Sequence, residues 1–214
     1  GSLARGVERA CSMRLLTVLL VGCGTGSAPA STDVQAIVGG RAGGPSFVVA
    51  IEAQRSGTVH CSGAVVAPRT VLTAAHCLDR FAASDLDVVE GASLALGTRV
   101  PVEAAFRHPK LDLALLRVAG TLSAPAIPFY RPLVASDVGM VISVSGYGVS
   151  STGSGDRRQV DGVLIAAGSV LQLSSDAGQA CSGDSGGPGW IADGGQALLV
   201  GAVSRGDTAC QLGT

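Results

Sequence analysis

The run Gly183-Asp184-Ser185-Gly186-Gly187-Pro188 places one serine between glycines in a chain of 214 residues. A serine hydroxyl is a weak nucleophile unless an imidazole removes its proton and a third group orients that imidazole. The flanking glycines allow a sharp turn that aims backbone N–H groups inward, toward a bound carbonyl. Gly/Ser-rich turns are also common without any catalytic role, so this run alone leaves both interpretations open.

Two upstream motifs contain the groups that such a serine needs. Thr73-Ala74-Ala75-His76-Cys77 places a histidine beside a cysteine, and Asp112 begins the apolar run Asp112-Leu113-Ala114-Leu115-Leu116-Arg117-Val118. A lone histidine is usually structural, and an aspartate at this position usually caps a strand. Together, in the order His, Asp, Ser, they predict that Asp112 accepts a hydrogen bond from His76 and that His76 activates Ser185.

Composition and charge narrow the class of protein. The chain is 47% hydrophobic and 14% charged with a net charge of -1, which excludes intrinsic disorder and gives no basic excess for binding nucleic acid. The 31 glycines and many short β-rich runs separated by turn residues predict an all-β fold, a sandwich or a barrel. These runs are Ser46–Ala53, Thr58–Ala67, Arg69–Ala74, Asp87–Glu90, Arg99–Glu103, Leu113–Val118, Met140–Ser145, Gly162–Ala167, Val170–Leu173 and Ala197–Val203.

The six cysteines fall into two groups. Two belong to the N-terminal leader and four to the body of the chain: Cys11 and Cys23, then Cys61, Cys77, Cys181 and Cys210. Because no C-x-x-C pair occurs and histidine is scarce, we expect no metal and no cofactor. An even number of body cysteines behind an export signal predicts disulfides, and the sequence alone allows three pairings.

The first 36 residues read as a leader and a spacer. Leu15–Val21 is too short to cross a bilayer and is typical of the apolar part of a signal peptide, with arginines before it. Leu20-Val21-Gly22-Cys23 also resembles a bacterial lipobox, which would make Cys23 a lipid anchor; the other interpretation is an ordinary secretory signal. We therefore expect a signal segment over 1–23, a flexible propeptide over 24–36, and an extracytoplasmic protein, either secreted or held at the cell envelope.

Four motifs in order resemble those of chymotrypsin-like (trypsin-fold) serine endopeptidases: Ile37-Val38-Gly39-Gly40, Thr73–Cys77, Asp112–Leu116 and Gly183–Pro188. The resemblance covers residues 37–214. It implies an all-β fold of two antiparallel six-stranded Greek-key β-barrels, at about 37–124 and 125–214, with the active site in the cleft between them. It also implies hydrolysis of peptide bonds through a His76-Asp112-Ser185 triad and an acyl-enzyme intermediate.

The resemblance assigns further roles. It pairs Cys61 with Cys77 and Cys181 with Cys210, and it makes the N–H groups of Gly183 and Ser185 an oxyanion hole. Ser204 would support Asp112, and the backbone of Ser204, Arg205 and Gly206 would pair with the substrate. Gln179 stands where family members read the side chain before the scissile bond; because it is uncharged, we do not expect a preference for Arg or Lys.

The family pattern also implies a zymogen. Cleavage before Ile37 would free an amino group that pairs with Asp184. The preceding Ala36 is not the Arg or Lys typical of precursors that trypsin activates, so the expected partners are an activating protease of another kind and peptide or protein substrates, with the enzyme a monomer.

One observation qualifies the resemblance. The chain ends soon after Cys210, where relatives continue through another strand and a C-terminal helix, so we expect a second barrel truncated at the C-terminus. This leaves an alternative function, a catalytically inert, truncated binding module on the protease scaffold. A lipase-like hydrolase does not fit, because its nucleophile precedes its acid and its histidine.

Overall fold

The computed structural model describes residues 40–53, 55–150, 153–175 and 178–205. Their regular structure is all-β, as the sequence predicts, with three short 3-10 helices at Ala75–Leu78, Ala83–Asp85 and Ala135–Asp137. The strands are β1 (Arg41–Ala42), β2 (Val48–Ala53), β3 (Val59–Ala67), β4 (Thr70–Thr73), β5 (Leu86–Glu90), β6 (Thr98–Arg107), β7 (Ala114–Val118), β8 (Val141–Gly146), β9 (Val149–Ser150), β10 (Gly153–Ser154), β11 (Arg158–Ala166), β12 (Gln172–Ser174), β13 (Pro188–Asp193) and β14 (Gln196–Ala202). Nowhere in this described part is a helix long and apolar enough to cross a bilayer.

The first lobe is a closed antiparallel barrel. Its six strands follow the order β2-β3-β4-β7-β6-β5, so the first three are sequential neighbours and the last three return in reverse, as in a Greek key. Along β7 the side chains alternate, with Ala114, Leu116 and Val118 buried in the barrel and the two between them more exposed. The interior is filled mainly by Val, Leu, Ile and Ala, which explains how a chain with 3% aromatic residues builds a core.

The second lobe is a six-stranded antiparallel sheet. Its order is β1-β11-β8-β13-β14, with β12 paired to the other end of β11. Its buried face is again aliphatic, with Ile142, Val144, Leu164 and Ile191 among its members. In the residues that the structure describes, this sheet does not close into a barrel, whereas the first one does.

Strands β1 and β13 differ from the sequence prediction. The resemblance places residues 41–42 in the first barrel, but they pair with Arg158 and Gln159 of β11 in the second sheet. The strand Pro188–Asp193 was not predicted at all, because proline and glycine at its start disfavour strand structure in isolation. Strand β1 forms through pairing with a distant partner, and Pro188–Asp193 pairs both with its hairpin neighbour β14 and with the more distant β8. Local residue patterns do not encode the distant pairings.

The two lobes share a third apolar cluster. Strand β2 is buried on both faces: Val49 and Ile51 point into the barrel, while Val48 and Ala50 pack toward the second lobe. Tyr147 of the second lobe is 1% exposed and lies in the same cluster, with its hydroxyl donating to Val48 O at 3.0 Å. Burial on both faces explains why β2 begins with four apolar residues, Val48–Ile51, and the shared cluster packs the two lobes against each other.

Candidate active site

His76 lies in the 3-10 helix directly after β4. Ala74, two residues earlier, is fully buried, and Cys77 is joined to Cys61 of β3 by a disulfide with Cα atoms 6.2 Å apart. The disulfide that the resemblance implies is therefore present, and it holds the turn of His76 against the barrel wall. By chain-entropy arguments, a cross-link closing a loop of this size contributes about 3 kcal/mol of stability.

Asp112 accepts three hydrogen bonds. His76 N donates to Oδ1 at 2.9 Å, His76 Nδ1 donates to Oδ2 at 2.8 Å, and Ser204 Oγ donates to Oδ2 at 2.5 Å. An ionised carboxylate only accepts hydrogen bonds, so Nδ1 of His76 carries the proton and Nε2 is left as the acceptor. The imidazole therefore has the tautomer that a general base requires.

The pKa of Asp112 is lower than that of an ordinary aspartate. Partial burial by itself raises this pKa, but the hydrogen bonds from Ser204 and His76 outweigh burial and lower it. The carboxylate therefore stays ionised to lower pH than a free aspartate does. Its contribution to stability is complete above the ordinary pKa and is lost as the pH falls through the lowered value.

Ser62 of β3 joins the first barrel to the loop of residues 183–188, here called the Ser185 loop. Ser62 N donates to Ser185 O at 2.8 Å, Ser62 Oγ donates to Gly183 O at 2.8 Å, and Tyr147 N donates to Ser62 Oγ at 2.9 Å. Ser62 is fully buried. The sequence analysis missed this residue because a serine inside a strand carries no distinguishing pattern.

The Ser185 loop also packs on the turn of His76. Ser185 O lies 3.8 Å from Cys77 Sγ, so the serine and the histidine occupy adjoining segments at the junction of the two lobes. In the part of the chain described, Ser185 Oγ and His76 form no hydrogen bond with each other. Such bonds are often long in free enzymes and shorten when substrate binds.

Gly186 is required by the close approach of the loop to the barrel. Its φ is +80°, and a Cβ placed there would overlap Thr73 Oγ1 and Ser62 O and lie 2.7 Å from Ala74 N. We expect Gly186→Ala to lower the free energy of unfolding by about 3 to 5 kcal/mol, because positive-φ strain adds to overpacking. Urea unfolding monitored by circular dichroism measures the effect.

A matched control exists at Gly57, where φ is +74° and nothing lies within 4 Å of the added Cβ. Gly57→Ala should cost only the backbone strain, about 1 to 2 kcal/mol. Equal losses for the two substitutions would show that the contact with the barrel is unimportant.

The N–H groups of Gly183 and Ser185 point to no acceptor within the described ranges. Gly183 has a φ of +93°, and a Cβ there would lie 2.8 Å from Gly148 Cα, so only glycine fits. Two backbone donors left without partners, one of them on the residue with the candidate nucleophile, can hold the oxygen of a polarised carbonyl. Their role as an oxyanion hole remains a prediction.

Asp184 lies in a closed pocket of backbone. It is fully buried, accepts from Gly148 N at 2.9 Å through Oδ1 and accepts from Cys181 N at 3.0 Å through Oδ2. A Cβ at Gly146 or Gly148 would collide with its carboxylate. Its predicted partner Ile37 lies outside the described residues.

Of the remaining predicted residues, the structure describes Gln179, Ser204, Arg205 and Cys181. Gln179 is 2% exposed and has an interaction partner, and Ser204 is buried beside Asp112, whereas Arg205 is exposed. Cys181 is disulfide-bonded. The partner expected for it, Cys210, lies outside the described residues together with Gly206, Ile37 and Cys23.

The fold and this arrangement of side chains are those of a chymotrypsin-like serine endopeptidase. Comparison with known proteins identifies the family, because the family model described as Trypsin matches residues 37–214. Trypsin alpha of Drosophila erecta is 34% identical over 205 residues, which covers 79% of this chain and 77% of that protein. Trypsin alpha-4 of Lucilia cuprina is 32% identical over 220 residues, covering 87% and 85%. The chain belongs to the trypsin family and is a serine-type endopeptidase.

Proposed function

We propose that Ser185, His76 and Asp112 form the catalytic triad of a secreted, peptide-bond-hydrolysing enzyme. The observation that carries this proposal is the hydrogen-bonded pair of His76 and Asp112, supported by Ser204 and lying beside the Ser185 loop. The buried disulfide of the first barrel is typical of proteins from oxidising compartments, which supports an extracytoplasmic location. Lipid attachment at Cys23 remains a prediction from the sequence.

The chemistry proceeds in two half-reactions. Ser185 Oγ attacks the carbonyl carbon of the peptide bond while its proton moves to His76 Nε2, and the oxygen that gains charge binds the N–H groups of Gly183 and Ser185. The protonated His76 then gives this proton to the leaving amine, and the C–N bond breaks to leave an acyl-enzyme. Water attacks the ester with His76 again as base, and the acid product and the free serine are released.

Substrate binding involves the segment that begins at Ser204, the serine that donates to Asp112. The backbone of Ser204, Arg205 and Gly206 would pair with an extended peptide as an added strand. Gln179 offers no charge, so a neutral or mildly polar side chain before the scissile bond is favoured. The exposed guanidinium of Arg205 favours acidic groups further along the peptide.

Activation is proposed to follow cleavage before Ile37. The residues just after this point are anchored, since Arg158 donates to Gly40 O at 2.6 Å and Arg41 pairs with Asp161 at 2.9 Å. The new amino group and the anchored carbonyl lie at the two ends of residues 37–40. Four residues reach at most about 14 Å, so the anchor restricts where the amino group can bind.

The anchored segment is two strands away from Gly146, the glycine that packs against Asp184. Ala42 pairs with Arg158, and Arg158 pairs with Gly146 on the next strand. Neighbouring strands are about 4.8 Å apart, and the carboxylate of Asp184 contacts Gly146. This distance is compatible with an ion pair between the amino group of Ile37 and Asp184.

The test compares hydrolysis of a peptide library by the full chain and by a chain processed to begin at Ile37. Loss of a buried ion pair costs about 3 to 5 kcal/mol, so processing should raise kcat/KM by roughly 10²- to 10⁴-fold. A chain that begins at Val38 is the matched control and should stay inactive, because its amino group is one residue short. Equal activity of the full and the processed chains, or an active form that mass spectrometry finds starting elsewhere, would contradict this mechanism.

A further inference from the structure

A histidine outside the triad caps the turn that carries Asp112. This turn, residues 108–113, joins β6 to β7. His108 Nδ1 accepts hydrogen bonds from Leu111 N at 2.9 Å and from Lys110 N at 3.2 Å. His108 N donates to Leu113 O, and Leu113 N donates to Leu111 O, both at 2.8 Å. The imidazole thus replaces backbone acceptors for the two N–H groups directly before Asp112.

This cap fixes Asp112 from both sides. Leu111 is held by the imidazole and Leu113 by the backbone of His108, so the aspartate between them has little freedom to shift. Its carboxylate must meet both His76 N and His76 Nδ1, at 2.9 and 2.8 Å. A displacement of about 1 Å in a group that orients the reaction can lower the rate by two orders of magnitude.

We propose that His108 is a positioning residue for the reaction: its uncharged imidazole accepts the two N–H groups of the turn and so keeps Asp112 aligned with His76. This inference rests on the triad proposed above. Protonation of Nδ1 converts the acceptor into a donor that faces two other donors. The cap therefore depends on an Nδ1 that accepts hydrogen bonds.

Two charged side chains near the turn bond to other groups, so His108 Nδ1 is the acceptor for Lys110 N and Leu111 N. On β6, Arg107 pairs with Asp79, beside the 3-10 helix of His76, at 2.7 Å. In the turn, Lys110 contributes its backbone N–H, and the carboxylate of Asp112 is occupied by His76 and Ser204. Within the described ranges, the His108 ring bonds only to the two N–H groups.

The test uses two substitutions at this position and one control. His108→Ala removes the acceptor, whereas the amide oxygen of His108→Asn can replace Nδ1 and does not titrate. Lys110→Ala changes a side chain of the same turn but keeps its N–H. In protein processed to begin at Ile37, His108→Ala should lower kcat roughly 10- to 100-fold with little change in KM. His108→Asn should recover most of the loss, and Lys110→Ala should behave as wild type.

A further readout separates positioning from a general structural role. The imidazole N–H resonance of His76 in 15N-histidine NMR should move in His108→Ala and stay in place in His108→Asn.

The proposal is wrong if His108→Ala keeps the wild-type kcat, or if His108→Asn is as impaired as His108→Ala. If His108→Ala does not fold, a His108→Asn protein that folds but loses kcat still contradicts the proposal. Absence of Ser185-dependent activity in the wild type would instead refute the proposed function, and the NMR comparison would test His108 independently of activity.

Discussion

Ser185→Ala should lower kcat for peptide hydrolysis by about 10⁶-fold, with KM nearly unchanged. The methyl group cannot form the acyl-enzyme, so covalent catalysis is lost while substrate binding stays. The residual rate should still exceed that in water by about 10³- to 10⁴-fold, because the backbone donors of the loop remain. Initial rates with a peptide ester and a peptide amide, measured on protein processed to begin at Ile37, give the comparison.

The neighbouring Ser182 supplies the control for this substitution. Its side chain is exposed, and its backbone carbonyl accepts from Val149 N at 3.0 Å. Ser182→Ala should therefore keep both the fold and kcat. A Ser185→Ala protein that retains a large share of wild-type kcat, with an unchanged melting temperature, would mean that another group is the nucleophile.

Asp112→Asn should lower kcat by about 10⁴-fold, as the corresponding change does in other Ser-His-Asp enzymes. The substitution preserves shape, but the amide nitrogen can donate to His76 Nδ1. This stabilises the tautomer of His76 that carries its proton on Nε2. An Nε2 that already carries a proton cannot accept the proton of Ser185. The NMR resonance of the His76 ring N–H should move from Nδ1 to Nε2.

Asp193 is a suitable control for the change of charge. It is exposed at the end of β13, in the hairpin that leads to β14, far along the chain from Asp112. Asp193→Asn removes one negative charge without touching the hydrogen bonds of His76, so kcat should not change. If both substitutions lowered kcat alike, the effect would come from net charge rather than from the tautomer of His76.

The sequence predicted the residues whose chemistry is visible in short motifs. The histidine with its adjacent cysteine, the aspartate at the start of a strand and the glycine-flanked serine each stand in a recognisable run. The all-β class followed from short strands and many turns, and the disulfide of Cys61 and Cys77 followed from the family resemblance.

The supporting contacts could not be predicted in the same way. Ser62 holds the Ser185 loop through its backbone N–H and hydroxyl, and His108 caps a turn through a ring nitrogen. Neither contact requires a distinctive pattern of neighbours, since each depends on which segments the fold brings together. The same reason applies to β1, whose two residues pair with β11 more than a hundred positions away.

The two glycines beside Asp184 are a further example of residues whose role cannot be predicted from sequence alone. Gly146 ends β8 and Gly148 follows two residues later, in the run Ser145-Gly146-Tyr147-Gly148 that resembles a Gly-Trp-Gly turn of the family. The structure explains both, because the carboxylate of Asp184 occupies the space that any side chain at these positions would need. Sequence therefore identified the aspartate, while packing identified the residues that make room for it.

Covalent labelling of Ser185 is the most direct test that His76 activates this serine in the folded protein. Protein processed to begin at Ile37 is incubated with a fluorophosphonate, and the adduct is located by mass spectrometry of proteolytic fragments. The account predicts one adduct per chain, on Ser185, formed by the folded protein and abolished by heat denaturation or by His76→Ala. A folded, processed chain that takes up no probe, or takes it up on a different residue, would contradict it.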